Sequence, residues 1–250
     1  MQAENPIYLL KNCVFAYQLQ WEVDIYWQYK IHDSRWYSPM QRSLGRQGID
    51  LLKHQFMKPG WSRFQVHTKP EICPQEIVRR MQSHLAEFLQ NELPNAVRDN
   101  FRIHNLGLLT SRTLRDVAAS EVEKEIVQDD NPTLQLFQIE QEIDLSELQS
   151  TQHGEYCYNL HVVLDVDSEQ IPKSKEFLEM AHDHVLRLSR RRDDRLLQAT
   201  ILPQCIDLTL GGQIEFSPAD TALAYMNSLA VACHHRPIFC YSAYVNTLGE

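Results

Sequence analysis

Two stretches of the chain alternate apolar and polar residues with a period of two. In the first, Tyr17, Leu19, Trp21, Val23, Ile25 and Trp27 interleave with Gln18, Gln20, Glu22, Asp24, Tyr26 and Gln28. In the second, Tyr158, Leu160, Val162, Leu164 and Val166 interleave with Asn159, His161, Val163, Asp165 and Asp167, in the same register at an offset of 141. A period of two puts one set of side chains on one face, so each stretch predicts a strand with one buried face. Each is followed by a helical or loop segment and then by a strand introduced by proline, in KPGWSRFQVHTKPEICPQEIVRRMQSHL and in LPQCIDLTLGGQIEFSPADTALAYMNSL. Pro59, Pro74 and Leu85 correspond to Pro203, Pro218 and Leu229, all at an offset of 144 without a gap. Pro74 and Pro218 sit where a first helical turn tolerates proline. Ile77, Met81, Leu85, Phe88 and Leu89 then recur at the spacing of one helix face. The closing strands pair Ile103-His104-Asn105-Leu106-Gly107 with Val245-Asn246-Thr247-Leu248-Gly249 at an offset of 142. The predicted order is strand, helix, strand, helix, strand, written twice.

After the first closing strand the pattern predicts a further helix from Ser111 to about Asp130. A polar, acidic connector follows, open to reading as a linker or a short strand. The units are therefore residues 1–130 and 154–250, joined by 131–153, and the second reaches Glu250 directly after its closing strand.

Composition narrows the picture. The chain has 250 residues with 43% hydrophobic, which suffices for packed cores and excludes global disorder. No apolar run approaches the ~18 residues that span a bilayer, and MQAENPIYLL lacks the features of a signal peptide, so the reading is a cytoplasmic protein without a membrane partner. Six cysteines, at 13, 73, 157, 205, 233 and 240, form no CxxC pair and read as mostly buried thiols.

The net charge of -9 argues at first against polyanions, because Lys and Arg supply most non-specific affinity for nucleic acid. Its distribution changes that. Residues 1–130 hold 16 basic and 16 acidic residues, and residues 131–250 hold 8 and 17. Within 35–115 there are 13 basic against 6 acidic, an excess of +7, where a polyanion could dock or where arginines simply solvate a surface. Tyr26, Trp36 and Tyr37 are candidate stacking platforms for unpaired bases beside Arg35 and Arg42, or else an interaction patch or ordinary packing. The run Arg187, Arg190, Arg191, Arg192 and Arg195, interleaved with Asp193 and Asp194, reads chiefly as a favourable helix C-terminus. His182 and His184 lie in a helical run where i and i+2 face different sides, and His234-His235 read as loop, so neither pair suggests a metal site.

The repeat unit, carried by KPGWSRFQVHTKPEICPQEIVRRMQ and FRIHNLG in the first copy and by RLLQATILPQCIDLTL, SPADTALAYMNSLA and YVNTLGE in the second, resembles the single-strand transposases of the insertion-sequence-200 type and their REP-associated relatives. The resemblance spans about residues 12–130 and 154–250. It implies an α+β fold of two tandem ferredoxin-like, RNA-recognition-like units with antiparallel sheets, a dimer fused into one chain. It also implies single-stranded or hairpin DNA as ligand. The family's chemistry needs two histidines at i, i+2 on a strand to hold a divalent metal, then a tyrosine nucleophile on a later helix with a glutamine about one turn beyond. By that resemblance the histidine positions are Trp61 and Arg63 in the first unit and Cys205 and Asp207 in the second. Gln128 falls on the glutamine position and Lys124 on that of the nucleophile, while the second unit lacks the nucleophile helix. No catalytic residue, metal or cofactor is therefore expected.

Cys205 and Asp207 face the same way and both types ligate zinc, but a third ligand is missing nearby, and a buried thiol with a paired carboxylate is the plainer reading. The expected function is a catalytically inactive, transposase-derived protein binding structured single-stranded DNA or RNA. Its contacts would be drawn from Arg35, Arg42, Arg63, Arg79, Arg80, Arg102 and Arg112. The rival is a protein-interaction scaffold that uses the same fold without nucleic acid.

Overall fold

The computed structural model describes residues 6–27, 35–58, 61–92, 103–110, 137–140, 145, 148–151, 154–167, 175–202, 204–234 and 236–249. These form a mixed α+β fold built on two antiparallel-rich sheets. In chain order the elements are β1 (Val14–Gln18), β2 (Gln20–Trp27), α1 (Tyr37–Gly45), β3 (Ile49–Lys58), β4 (Trp61–Thr68), α2 (Pro74–Glu92), β5 (Ile103–Thr110) and β6 (Phe137–Glu140). They continue with β7 (Gln149–Thr151), β8 (Gly154–Cys157), β9 (Asn159–Val166), α3 (Lys175–Arg192), β10 (Arg195–Ile201), β11 (Cys205–Gly211), α4 (Pro218–Ala232) and β12 (Phe239–Leu248). One sheet runs β3-β4-β2-β5-β8-β7 and the other β1-β12-β9-β11-β10-β6.

Within each sheet four strands repeat one arrangement. The series β2-α1-β3-β4-α2-β5 gives the order β3-β4-β2-β5, and β9-α3-β10-β11-α4-β12 gives β10-β11-β9-β12. Both are the ferredoxin-like β-α-β-β-α-β connection. The expected order was one strand short in each half, since β3 and β10 had been left inside the segment after the opening strand. β3 hides because its register on β4 breaks twice, between Leu51 and Lys53 and between Phe56 and Lys58, which destroys its alternation. β10 hides in RLLQATI, whose two adjacent leucines are both buried.

The alternation did place the core faces correctly. Leu19, Trp21, Val23 and Ile25 are fully buried, as are Leu160, Val162 and Leu164. Beneath them lie Met40 and Leu44 of α1, Ile77, Met81 and Leu85 of α2, and Ala222, Tyr225, Met226 and Leu229 of α4, in one continuous apolar cluster. The ladders revise the correspondence between halves. Tyr26 pairs with Trp61 and Asp165 with Cys205, so β2 and β9 correspond at an offset of 139. Val23 pairs with Leu108 and Val162 with Val245, so the closing strands correspond at 137, which matches Gly107 to Tyr244 and not to Gly249. The 144 offset of the central strands stands, since β4 begins at Trp61 and β11 at Cys205.

The long opening strand of each half also divides. β1 and β2 are separated by Leu19, and β8 and β9 by Tyr158. The first portion crosses to the other sheet: β1 pairs in parallel with β12, and β8 in parallel with β5. At both divisions the kinked residue's carbonyl accepts from the end of the central strand, Thr68 N–H to Leu19 O at 3.3 Å and Gly212 N–H to Tyr158 O at 2.8 Å. Two further bonds are reciprocal. Gln75 N–H donates to Ile214 O at 3.0 Å and Ala219 N–H to Pro70 O at 2.9 Å, and each residue of one bond is 144 positions from its counterpart in the other. Trp21 meets Tyr158 across this junction, ring centroids 5.4 Å apart, while its indole N–H donates to Thr68 Oγ1 at 2.9 Å.

The connector supplies β6, on the outer side of β10, and β7, on the outer side of β8. The helix expected over 111–130 lies outside the described residues. Among the described residues no helix is long and apolar enough to cross a membrane.

Candidate nucleic-acid interface

Away from its helices, the first sheet presents alternate residues of β2 and β4: Glu22, Asp24 and Tyr26 beside Gln65, Arg63 and Trp61. Arg63 stands directly opposite Asp24 in the ladder. Its Nε and one terminal nitrogen both lie 2.8 Å from the Asp24 carboxylate oxygens, and its other terminal nitrogen lies 3.2 Å from Glu22. This planar two-point contact is the strongest geometry available to an arginine and a carboxylate. The hydrogen bonds that Arg63 donates to the Asp24 carboxylate hold the guanidinium pKa above its ordinary value. Asp24 is 6% exposed, so Arg63 is its close compensating partner in a nearly buried pair.

Beside this pair, Trp61 and Tyr26 stack at 5.5 Å and 14°. Lys58 Nζ and the Arg63 guanidinium carbon each lie 5.7 Å from the Trp61 ring. Burial, more than the adjacent Asp24, raises the Tyr26 phenol, so it remains a neutral hydroxyl at physiological pH. The result is an aromatic pair on an open sheet face with cations at its margin, an arrangement that can accept an unpaired base.

The second sheet carries different residues at the same ladder positions, with Val163 in the place of Asp24. Asp207 occupies the position of Arg63, and His161 that of Glu22. His161 Nε2 lies 2.9 and 3.0 Å from the two Asp207 oxygens. His161 is 6% exposed and its ring meets Tyr244 edge-on at 6.1 Å. Cys205, in the position of Trp61, is buried, and burial ahead of the nearby Asp207 and Asp165 pushes its thiol up to about 12. A protonated thiol is neither a nucleophile nor a ready metal ligand at neutral pH. Among the described residues no group of three or more His, Cys, Asp or Glu could hold a metal ion. None of the six cysteines forms a disulfide, and Cys240 is the exposed one. A thiol reagent at pH 7.5 is therefore expected to modify Cys240 first in the native protein and Cys205 only as fast as the fold opens. Mass mapping of a labelling time course checks the order, and early Cys205 adducts would contradict it.

The other expected nucleic-acid contacts are distributed unevenly. Arg42, at the end of α1, and Arg79, on α2, are exposed. Among the described residues Arg79 has one loose side-chain partner, Glu76 at 3.5 Å. Arg80 is held by the same Glu76 and donates to Gln47 O at 2.7 Å, tying α2 to the turn before β3. Arg35 is exposed just before α1. Arg102, Arg112, Lys124 and Gln128 lie outside the described residues. Trp36, weighed as a stacking platform, is instead 2% exposed and packs on His54 and Phe64. In the acidic half, Arg192 is structural: it donates to buried Asp194 at 2.8 Å and covers Phe216 at 4.3 Å. Arg187, Arg190 and Arg191 are exposed along the end of α3.

Sequence reasoning missed Asp24, Glu22 and His161 as partners of the three-dimensional site. Two acidic residues on the polar face of β2 opposite a lone arginine on β4 was the available signal, but it becomes readable only once the register of the strands is known.

No family model matches this chain, and no curated protein matches it. Among solved structures it is similar to one described as a glycine cleavage system transcriptional repressor, at 9% identity over 93% of this chain and 100% of that one, TM-score 0.24. An unknown protein from Galdieria sulphuraria matches at 6% identity over 93% and 98%, TM-score 0.24. A chlorite dismutase from Candidatus Nitrospira defluvii matches at 12% identity over 92% and 91%, TM-score 0.23. Likeness at these scores says nothing about what this chain does.

Proposed function

We propose that this chain is a catalytically silent, transposase-derived protein in which two ferredoxin-like units are fused as a pseudo-dimer that binds structured single-stranded DNA or RNA. The observation that carries the reading is the fate of the four positions where the resembled family would place its metal histidines. Trp61 stacks on Tyr26, Arg63 is consumed by Asp24 and Glu22, Cys205 is a buried protonated thiol, and Asp207 is paired with His161. Each has a structural occupation, so none needs a metal to explain it. Support for the pseudo-dimer comes from the crossing of β1 and β8 and from the reciprocal bonds of Gln75 and Ala219, the pattern of a self-complementary twofold contact.

Binding in this reading uses the Tyr26–Trp61 face for stacking with Lys58 at its margin for phosphate, while Arg42 and Arg79, on helices that pack against the opposite face of the sheet, would serve a separate phosphate contact. Arg63 contributes less than its charge suggests, because a phosphate would have to displace two carboxylates. That neutralisation, with the acidic second half, is what favours the alternative of a protein-interaction scaffold.

The test is the affinity for a hairpin oligonucleotide at low salt, measured for the wild type and for Trp61→Ala. Removing one stacking ring costs ~1–3 kcal/mol per base, a loss of about 5- to 150-fold. Unchanged affinity in a variant that still unfolds cooperatively would remove the aromatic pair from the interface. A stoichiometric protein co-purifying without nucleic acid, insensitive to nuclease, would favour the scaffold.

A further inference from the structure

The first helices of the two halves, α1 and α3, correspond at an offset of 145. Trp36, Met40 and Leu44 are buried in the first half, and Ala181, Val185 and Ser189 at the matching places in the second. The chain leaves each helix through a residue of positive φ, Gly48 at 81° and Asp193 at 59°, again 145 apart. Over the eleven positions from Trp36 to Arg46 and from Ala181 to Arg191, only two residues are the same in both halves: Arg42 with Arg187, and Arg46 with Arg191. All four arginines are exposed. Residues four apart are neighbours on a helix surface, so each helix presents its two arginines side by side on its last turns. A cation in the last turn complements the helix dipole, which accounts for an arginine at either end but not for a pair in the same register while every buried position differs.

Both helix ends adjoin the junction between the halves. Beyond Arg46, Gly48 O accepts from Lys69 N–H at 3.1 Å, and the next residue, Pro70, accepts from Ala219 N–H at 2.9 Å. Beyond Arg191, Asp193 O accepts from the Gln213 side chain at 2.6 Å, and the next residue, Ile214, accepts from Gln75 N–H at 3.0 Å. The two arginine pairs therefore flank the reciprocal contact, one on each side. Exposed Lys69 and Arg80, which is bonded to Gln47 O, add positive charge beside the first pair, and exposed Arg190 beside the second. Arg187 meets Asp183 only loosely, at 3.8 Å with both side chains more than 60% exposed. Glu71 and Glu215, exposed next to Pro70 and Ile214, divide the surface into two cationic places and not one continuous track.

We propose that Arg42 with Arg46, and Arg187 with Arg191, are two phosphate clamps that grip the base-paired stem of the nucleic acid, one backbone each. The inference rests on the reading of this chain as a binder of structured nucleic acid. A guanidinium takes a phosphate through two parallel hydrogen bonds, which suits arginine over lysine at such a place. The stem is the favoured occupant because the two backbones of a duplex run antiparallel and are related by a dyad. Two protein sites related by a pseudo-twofold match that symmetry, and a single unpaired strand does not. The clamps lie on the helix side of the sheets, away from Tyr26 and Trp61, so the stem and the unpaired bases occupy separate surfaces.

Binding of a labelled hairpin, followed by fluorescence anisotropy over a salt series, is compared for the wild type, for Arg42→Gln with Arg46→Gln, for Arg187→Gln with Arg191→Gln, and for the quadruple variant. Each phosphate neutralised contributes about 0.7–0.9 to the logarithmic salt slope, so each double variant should lower the slope by about 1.4–1.8 and the quadruple variant by about twice that. Urea midpoints should stay in place, since the side chains are exposed and glutamine keeps the helix preference of arginine. An unpaired oligonucleotide of equal length presents one backbone, so the quadruple variant should change its slope by about half as much as the slope for the hairpin. With the hairpin still bound, slopes unchanged by the substitutions would overturn the inference and leave the Tyr26–Trp61 reading standing. A change confined to one half, or an equal change for the unpaired strand, would also overturn it. A lowered midpoint with an unchanged slope would assign the arginines to their helix ends alone. A wild type that binds no hairpin at low salt would remove the underlying reading and the clamps with it.

Discussion

Trp21→Ala is expected to cost about 4–6 kcal/mol and to lower the stability of both halves together. Trp21 is fully buried, and large-to-small substitution at such a site costs ~3–5 kcal/mol through lost transfer energy and the cavity left behind. Its indole also donates to Thr68 Oγ1, and Thr68 is 1% exposed, so the hydroxyl loses its donor at a further cost of about 1 kcal/mol. The position amplifies the effect. Trp21 follows the kink at Leu19 and touches Tyr158, the equivalent kink of the second half. A cavity there loosens the place where each opening strand leaves one sheet for the other. Against a typical total of ~5–15 kcal/mol, this is a large fraction. Urea unfolding followed by tryptophan fluorescence and by far-ultraviolet circular dichroism should give one coincident transition for the wild type, with the midpoint moved sharply down in the variant. Two separated transitions in the wild type would mean that the halves fold independently, contrary to the strand exchange.

Arg63→Ala is the second large effect, expected at about 2–3 kcal/mol. Removing one partner of a buried ion pair costs ~3–5 kcal/mol, and the Arg63 side chain retains 27% exposure, which reduces the penalty through solvent screening. What remains after substitution is a carboxylate on Asp24 almost out of contact with water. The Asp24→Asn, Arg63→Met double variant removes both charges and should recover most of the loss, since a neutral pair of similar volume carries no orphaned charge. Thermal or urea midpoints for Asp24→Asn, Arg63→Met and the double variant close the cycle. Strictly additive losses would show that Arg63 and Asp24 do not depend on each other, and the reading of Arg63 as a structural residue would fall with them.

Much of this architecture could be read from the chain, for definable reasons. Strands β2 and β9 each have one face against helices, and that face took the apolar residues at a period of two, Leu19 to Ile25 and Leu160 to Leu164, although the other face of β9 is also largely buried, with Val163 packed on Leu202 and Cys205. Pro74 and Pro218 marked helix starts because a first turn has no intrahelical use for their missing N–H. The strands that escaped are those where another demand overrode alternation: β3 with its two bulges, and β10, whose consecutive Leu196 and Leu197 are both buried, Leu197 against Leu145 and Leu248. The division of each opening strand between two sheets left no local mark either. Leu19 and Tyr158 continue the apolar alternation, and the kink is fixed by distant groups, the N–H of Thr68 and of Gly212.

The site was legible in its parts and not in its pairings. Trp61, Arg63, Cys205 and Asp207 were singled out by the resemblance, and the ladders place both pairs on corresponding strands. What each of them touches depended on a register that local pattern could not set, because a shift of two residues keeps every side chain on its face. The offset of 141 and the true one of 139 differ by that amount. Under the first, Glu22 would correspond to Val163; under the second it corresponds to His161, so the partner of Asp207 stands at the ladder position of Glu22, a partner of Arg63.

A hairpin oligonucleotide, incubated with the protein in Mg²⁺ or Mn²⁺ across a salt series and analysed on native and denaturing gels, tests the central claim most directly. The account predicts a retarded complex at low salt whose affinity falls linearly on a logarithmic scale, with a slope of about -0.7 per phosphate neutralised, and an uncut oligonucleotide with either metal. Cleavage with either metal would contradict the proposed catalytic silence of Trp61, Arg63, Cys205 and Asp207, and the absence of any complex at low salt would contradict the proposed nucleic-acid binding itself.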